Sequence, residues 1–195
     1  MDFFHFHIQM IQRSTGRSAV AAAAYRSGAR IVNTWDGTVH DYTRKQHVVY
    51  NEVMLPANAP PHFADRSMLW NSVEWAEKKR DAQLAREVEM ALPKELPRTA
   101  QIKLVRAFVQ QQFVNAGMCA DVAIHDKEDG NPHAHILLTV RPLSSDGSWA
   151  QKSRLVYDLD DAGQRIALPN RRWKCHKENM VDWDHRQNAE KWRKA

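Results

Sequence analysis

The sequence predicts an α+β domain, a mainly antiparallel five-stranded sheet with helices packed on one face. Three observations carry that prediction. Stretches of period-two alternation are interleaved with stretches at helical spacing in the order β, α, β, α, β, α, β, β. The last two strands are joined by a loop short enough for a hairpin. Finally, 195 residues with 43% hydrophobic content suffice for one core and leave little room for a second.

The elements follow in order. Phe4, Phe6, Ile8 and Met10 alternate with His5, His7 and Gln9, the pattern of a strand buried on at least one face. Ser18 is placed to cap a helix with the body AVAAAAYRS, which Gly28 ends. Four consecutive alanines, Ala21 to Ala24, favour the helix and let its backbone lie close to whatever it packs on. Residues 31 to 47 are polar, with turn chemistry at Asp36-Gly37. HVVYNEVML then reads as a second strand ended by Pro56. Asp65 or Ser67 starts a helix running to Lys79, with Leu69, Val73 and Ala76 at helical spacing.

LAREVEMAL is the third strand, with Glu87 and Glu89 on one face and Val88 and Met90 on the other. Thr99 caps the clearest helix, whose stripe is Ile102, Val105, Val109 and Phe113 and which Gly117 stops. Strands at 120 to 125 and 133 to 140 flank the loop DKEDGNP, where Asp129-Gly130 and Asn131-Pro132 are turn dipeptides. Beyond Arg141 the pattern fades into polar loop until VDWDHRQNAEKWRKA opens a last helix. The domain is expected to span 1 to 195, with a core of about 1 to 141 and a basic, Trp-containing tail from 142 to 195.

Composition excludes several classes. A mean hydropathy of −0.63, with no apolar run near the length of a membrane helix, argues against a span. The start MDFFHFHIQMIQR lacks the charged beginning and small-residue cleavage site of a signal peptide. The chain is therefore expected in the cytoplasm. Cys119 and Cys175 are too few for a disulfide framework and show no metal-binding spacing. The net charge is only +5, but it is unevenly placed: residues 1 to 50 hold 6 basic and 3 acidic side chains, residues 171 to 195 hold 8 and 4, and the segment between holds 14 and 16. Two edges of one surface would be positive while the scaffold is not.

Ten histidines are many for this length, and three form a pattern. His133 and His135, at i and i+2 of a strand, share a face, and an antiparallel neighbour ending at His125 brings a third imidazole beside them. Three neutral imidazoles converging on one point make a divalent-metal site with coordination positions left open. Asp126, Asp129 and Asn131 fail the spacing of a calcium loop, so DKEDGNP reads as the turn that aligns the two strands. Glu87 or Glu89 could take the free ring N–H of a metal-bound histidine or serve as a base. Tyr25 is a weaker signal: a phenol is a poor nucleophile at neutral pH unless activated, and an isolated helical Tyr is usually structural. Its setting is unusual, in an alanine-rich helix with Arg17, Arg26 and Arg30 nearby in sequence. Residue chemistry alone stops at a metal site with a possible anionic ligand.

Taken together, RSTGRSAVAAAAYRSGARI, DYTRKQHVVYNEVMLP, REVEMALPKEL and HDKEDGNPHAHILLTVRPL resemble, in family order, the N-terminal relaxase domain of the MobA/MobL family of plasmid mobilisation proteins. These are MOBQ-type members of the HUH endonuclease superfamily. The resemblance spans most of residues 1 to 141 and extends to Asp182, Trp183 and EKWR in the tail. It implies a relaxase-like palm, excised from a longer protein, that nicks single-stranded DNA at an origin of transfer. Tyr25 would attack the phosphodiester, leaving a 5′-phosphotyrosyl adduct and a free 3′-hydroxyl for later strand transfer. His125, His133 and His135 would hold a divalent cation, Mn²⁺ or Mg²⁺, and Glu87 would orient a ligand or manage a proton.

Arg13, Arg17, Arg26, Arg30, Arg44 and Lys45, with Arg171, Arg172 and Lys174, would contact phosphates. Trp149 and Trp173 are candidates for base stacking. The implied partners are the origin strand with an adjacent hairpin, accessory relaxosome proteins and a type IV secretion coupling protein, with the domain itself a monomer. Three alternatives share the histidines: a rolling-circle replication initiator, a non-catalytic single-strand-binding module with a structural metal, and a phosphodiesterase that uses water. Tyr25 discriminates among them, and its place before the histidines favours the relaxase.

Overall fold

A computed structural model of the protein describes residues 5–195; Phe4, expected in the first strand, lies outside the described residues. The elements are β1 (Phe6–Gln12), α1 (Ala19–Ser27), β2 (Arg30–Val32), β3 (Val39–Asp41), β4 (Val48–Met54), α2 (Arg66–Ala76), β5 (Gln83–Ala91), α3 (Arg98–Val109), β6 (Ala120–His125), β7 (His133–Thr139), β8 (Ser153–Tyr157), β9 (Cys175–Asn179) and α4 (Arg186–Lys194). Five strands form one sheet in the order β1-β5-β7-β6-β4, antiparallel at every pairing. The two hairpins β2-β3 and β8-β9 stand apart from it.

The helices do not share one face. Val88 and Met90 of β5, Val122 and Ile124 of β6, and Ile136 and Leu138 of β7 pack on Val105, Val109 and Phe113, with Trp192 of α4 beside them. On the opposite face Ala85 and Leu137 meet the alanines of α1, which pack in turn on Leu69, Trp70 and Val73 of α2. The expectation of a one-sided sheet fails because the central strands are apolar on both faces. Every residue of ADVAIH in β6 is buried, and such a strand needs cover on each side.

The first helix follows its local signals. Ser18 accepts a hydrogen bond from the Ala21 N–H, and Gly28, at φ 67°, donates its own N–H to the Ala24 carbonyl. Ala19, Ala23 and Ala24 are fully packed, so the short side chains do let the helix lie close to the sheet and α2. Its start is reinforced from outside, because the buried Glu74 of α2 accepts from Ala19 N–H at 2.8 Å, from the Ser18 hydroxyl at 2.9 Å and from Arg13 at 2.8 Å.

Other expectations are corrected. Thr99 does not cap α3; Pro97 occupies the N-cap position without a side-chain bond, leaving Thr99 inside the first turn. Proline at the entry supplies a pre-set φ and lacks only an N–H that would be orphaned anyway. After α3 a π-helical turn spans Gln110–Val114 and keeps Phe113 in the core. The second long helix ends at Ala76 rather than Lys79. Residues 31 to 47 contain the β2-β3 hairpin around Asp36-Gly37, and the tail holds β8-β9 instead of loop. Trp149 stacks on Phe63 at 5.4 Å and donates to Ser72, a packing role, whereas Trp173 is exposed.

Glu74→Ala should destabilise the fold by about 3 kcal/mol in urea titrations, because it removes the counter-charge of Arg13 and leaves the first N–H of α1 without its acceptor in a buried setting. Thr99→Ala should change stability by less than about 0.5 kcal/mol, since no cap is lost.

Candidate functional site

The site lies on the α1 face, where four strands present alternate side chains. In register, His125 stands opposite His133, Glu89 opposite His135, and Glu87 opposite Gln9 on one side and Leu137 on the other. The period of two therefore gathers all three histidines and both glutamates on one face. The connecting loop is shaped by its own side chains: Asp126 accepts from the Glu128 N–H, Asp129 from the Asn131 N–H, and Gly130 takes φ 83°.

One nitrogen from each of His125, His133 and His135 lies within 4.8 Å of the other two, close enough to share a metal ion. Each ring's second nitrogen is engaged by an oxygen that can only accept. His125 Nε2 bonds the Arg26 carbonyl at 2.6 Å, His133 Nδ1 the Asn131 carbonyl at 3.0 Å, and His135 Nδ1 the Glu87 carboxylate at 3.1 Å. Each of these partners can accept a ring N–H, and in that tautomer the other nitrogen, Nδ1 of His125 and Nε2 of His133 and His135, keeps a lone pair for a metal. The donor set thus fits a divalent cation, with the tautomers already selected. Burial foremost, aided by the charges of Lys45, His135 and His133, pushes His125 down to about 4 against the opposing bond to the Arg26 carbonyl. The ring is accordingly neutral at neutral pH, as a metal ligand must be.

Glu87 is the better-placed carboxylate of the pair. It is 1% exposed, and it accepts from Gln9 Nε2 at 2.7 Å, from Arg26 Nε and from His135. Arg17 stands 3.8 Å away. Burial alone would raise its pKa, but the hydrogen bonds from His135 and Arg26, with the Arg26 charge, outweigh it and hold the carboxyl at about 2. Glu89 is partly exposed and 3.8 Å from both His135 and His5. His7 pairs with Glu89 across β1 and β5.

Tyr25 sits near the end of α1, half exposed, one residue before the carbonyl that holds His125. It borders an open groove of about 600 Å³ that runs between α1 and the β2-β3 hairpin. The ammonium group of Lys45 lies over the Tyr25 ring, and the Tyr42 ring meets it edge-on.

The basic residues divide by what they touch. Arg13 turns inward to Glu74 and the carbonyls at the end of α2. Arg17 reaches Gln9 and Glu87, and Arg26 binds Glu87 and the Ala22 carbonyl. Arg30 faces Asp41 at the surface, Arg44, Arg171 and Arg172 are exposed, and Lys174 stands 3.4 Å from Asp158. Gln9 and the Arg26 carbonyl went unnoticed as site groups in the sequence. For Gln9 a signal existed, since it shares the alternating face of His7; for a backbone carbonyl there is none.

The MobA/MobL family matches residues 17–195. The chain is 42% identical over 166 residues to the conjugal transfer protein TraA of Agrobacterium fabrum, covering 80% of this chain and 15% of that protein. It is 37% identical over 178 residues to the mobilization protein MobL of Acidithiobacillus ferridurans, covering 78% and 46%. The chain thus spans less than half the length of either relative. A solved structure described as the molecular basis of vancomycin resistance transfer in Staphylococcus aureus superposes with a TM-score of 0.82 at 31% identity, over 99% of this chain and 88% of that one.

Because the folded pKa of Glu87 lies below its ordinary value of 4.5, its ionised form stabilises the fold above that pH. The contribution, about 3 kcal/mol, should disappear as pH falls toward 2. Urea titrations of metal-free protein should show this dependence, and Glu87→Gln should flatten it while lowering stability near neutral pH.

Proposed function

Because the chain belongs to the MobA/MobL family, we propose that it is the catalytic domain of a relaxase, formed by residues 1 to 195, which nicks one strand of DNA at an origin of transfer. The observation that carries the reading is the meeting of Tyr25 and the histidine cluster at one helix end. The carbonyl next in chain to Tyr25 holds His125, and the side chain of that same residue, Arg26, holds Glu87.

In this reading the phenol oxygen of Tyr25 attacks phosphorus in a single-stranded phosphodiester. The bond to the 3′-oxygen breaks and that oxygen takes up a proton, while the phenol proton passes to solvent. The products are a 5′-phosphotyrosyl ester and a free 3′-hydroxyl. Since the ester conserves the broken bond, a 3′-hydroxyl can attack it in turn and restore a continuous strand. His125, His133 and His135 would hold a divalent cation, Mn²⁺ or Mg²⁺, which when bound supplies Lewis-acid neutralisation of the phosphate oxygens.

Glu87 keeps His135 in the ligating tautomer and fixes Arg26, so it orients rather than reacts. Arg13, Arg17 and Arg26 serve the scaffold of the site. Arg30, Arg44, Arg171, Arg172 and Lys174 stand at the surface and contact strand phosphates, which positions the DNA without reading its sequence. The exposed Trp173 offers a face for an unpaired base.

Incubation of the protein with Mn²⁺ and a single-stranded oligonucleotide carrying the origin nick region should give a band of retarded mobility on a denaturing gel. Tyr25→Phe should abolish that band while DNA affinity changes less than about threefold; an adduct persisting in this variant overturns the assignment of Tyr25. His133→Ala should weaken Mn²⁺ binding, read by calorimetry, by at least about 100-fold. A free 5′-phosphate without any adduct would instead identify a water-using phosphodiesterase.

A further inference from the structure

Lys45 differs from the other basic residues near α1, because its ammonium group is aimed at Tyr25 itself. Nζ donates to the Tyr25 carbonyl at 2.9 Å and lies 3.5 Å from the centroid of the Tyr25 ring. The ring of Tyr42 meets the same phenol edge-on, at 5.2 Å and 86°. The half-exposed Tyr25 side chain is thus held from two sides by one short turn of chain.

That turn is built for the purpose. Asp41 accepts from both the N–H and the hydroxyl of Thr43, the Lys45 N–H donates to the Tyr42 carbonyl, and the Tyr42 N–H donates to Ala29 just past α1. The turn lies beside Gly28, whose φ of 67° ends α1 and whose neighbours include the Tyr42 and Lys45 carbonyls. A helix C-terminus leaves carbonyls unsatisfied and carries partial negative charge, so an ammonium group there is favoured on both counts.

We propose that Lys45 is a positioning residue for Tyr25, clamping the phenol ring through its face and its own backbone carbonyl so that the oxygen is presented for attack. This rests on the reading of Tyr25 as the nucleophile and goes beyond it. One N–H of this ammonium group is committed to the Tyr25 carbonyl while the group lies on the ring, contacts that Arg30 and Arg44 are not seen to make and that give Lys45 a role beyond a phosphate contact. Holding the ring also removes rotational freedom that would otherwise have to be lost in the transition state. Loss of the phenol proton puts negative charge on the oxygen and, by resonance, on the ring, so a cation over the ring face favours the nucleophilic phenolate form. Burial, with the nearby charges of Arg26 and Lys127, pushes the Lys45 ammonium down to about 8.

The test uses the whole chain in the variants Lys45→Met, Lys45→Gln, Lys45→Arg and Tyr25→Phe. With ring-labelled tyrosine and no DNA, the Tyr25 signals are assigned by their loss in Tyr25→Phe. They should shift in both neutral variants and return most of the way in Lys45→Arg, which keeps a cation over the ring. With saturating oligonucleotide and Mn²⁺, the single-turnover rate of adduct formation should fall about ten- to a hundredfold in the neutral variants. DNA affinity should stay within about twofold. Unchanged Tyr25 signals in both neutral variants overturn the proposal. So does a weakened DNA affinity with a shallower salt dependence and an unchanged saturated rate, the signature of a phosphate contact. If Tyr25→Phe still forms the adduct, the nucleophile assignment fails instead, and the label experiment still reads the Lys45–Tyr25 contact.

Discussion

The buried carboxylate of Glu87 is the interaction on which the site depends. An ionised group that is 1% exposed is tolerated only when its lone pairs are matched, and here Gln9, Arg26 and His135 supply the donors, with Arg17 adding charge. Those residues come from β1, α1, β7 and the approach to α1. One charge therefore ties the helix bearing Tyr25 to the strand bearing two of the three histidines. The apolar packing beneath brings α1 to the sheet, but alanines alone do not set how far the helix slides along it. The bonds to Glu87 do.

The second constraint is the open end of α1. Helices leave their last carbonyls without internal partners, and here the two that matter are taken by site groups: Tyr25 O by Lys45 and Arg26 O by His125. Termination at Gly28 is thus part of the site. By turning the chain into the left-handed region, Gly28 ends the helix where one carbonyl meets Lys45 and the next meets His125, with the 42–45 turn close beside it. Stability and chemistry share the same hydrogen bonds.

Legibility in the sequence followed the range of the interaction. The histidine cluster could be read because it needs only the two-residue period of a strand and a hairpin turn, both local. The caps of α1 were legible for the same reason. The choice between Glu87 and Glu89 was not, since both lie on one face of β5. It is decided by α1, which covers Glu87 and supplies Arg26, while Glu89 remains near the open edge beside His5. The β8-β9 pair went unread because every residue of CHKEN and SRLVY is exposed or half-buried, so no hydrophobic alternation marked them; backbone pairing and the surface ion pair of Arg154 with Glu178 join the two strands.

By itself the sequence determined where strands and main helices form, which side chains share a strand face, and that three imidazoles would meet at a hairpin. These are consequences of covalent spacing and turn chemistry. Tertiary structure alone decided that helices cover both faces of the sheet, that Arg26 serves Glu87 rather than the surface, and that Lys45 lies on Tyr25. Each of these depends on contacts between residues far apart in the chain, and their geometry exists only once the sheet has its register and α1 has docked on it.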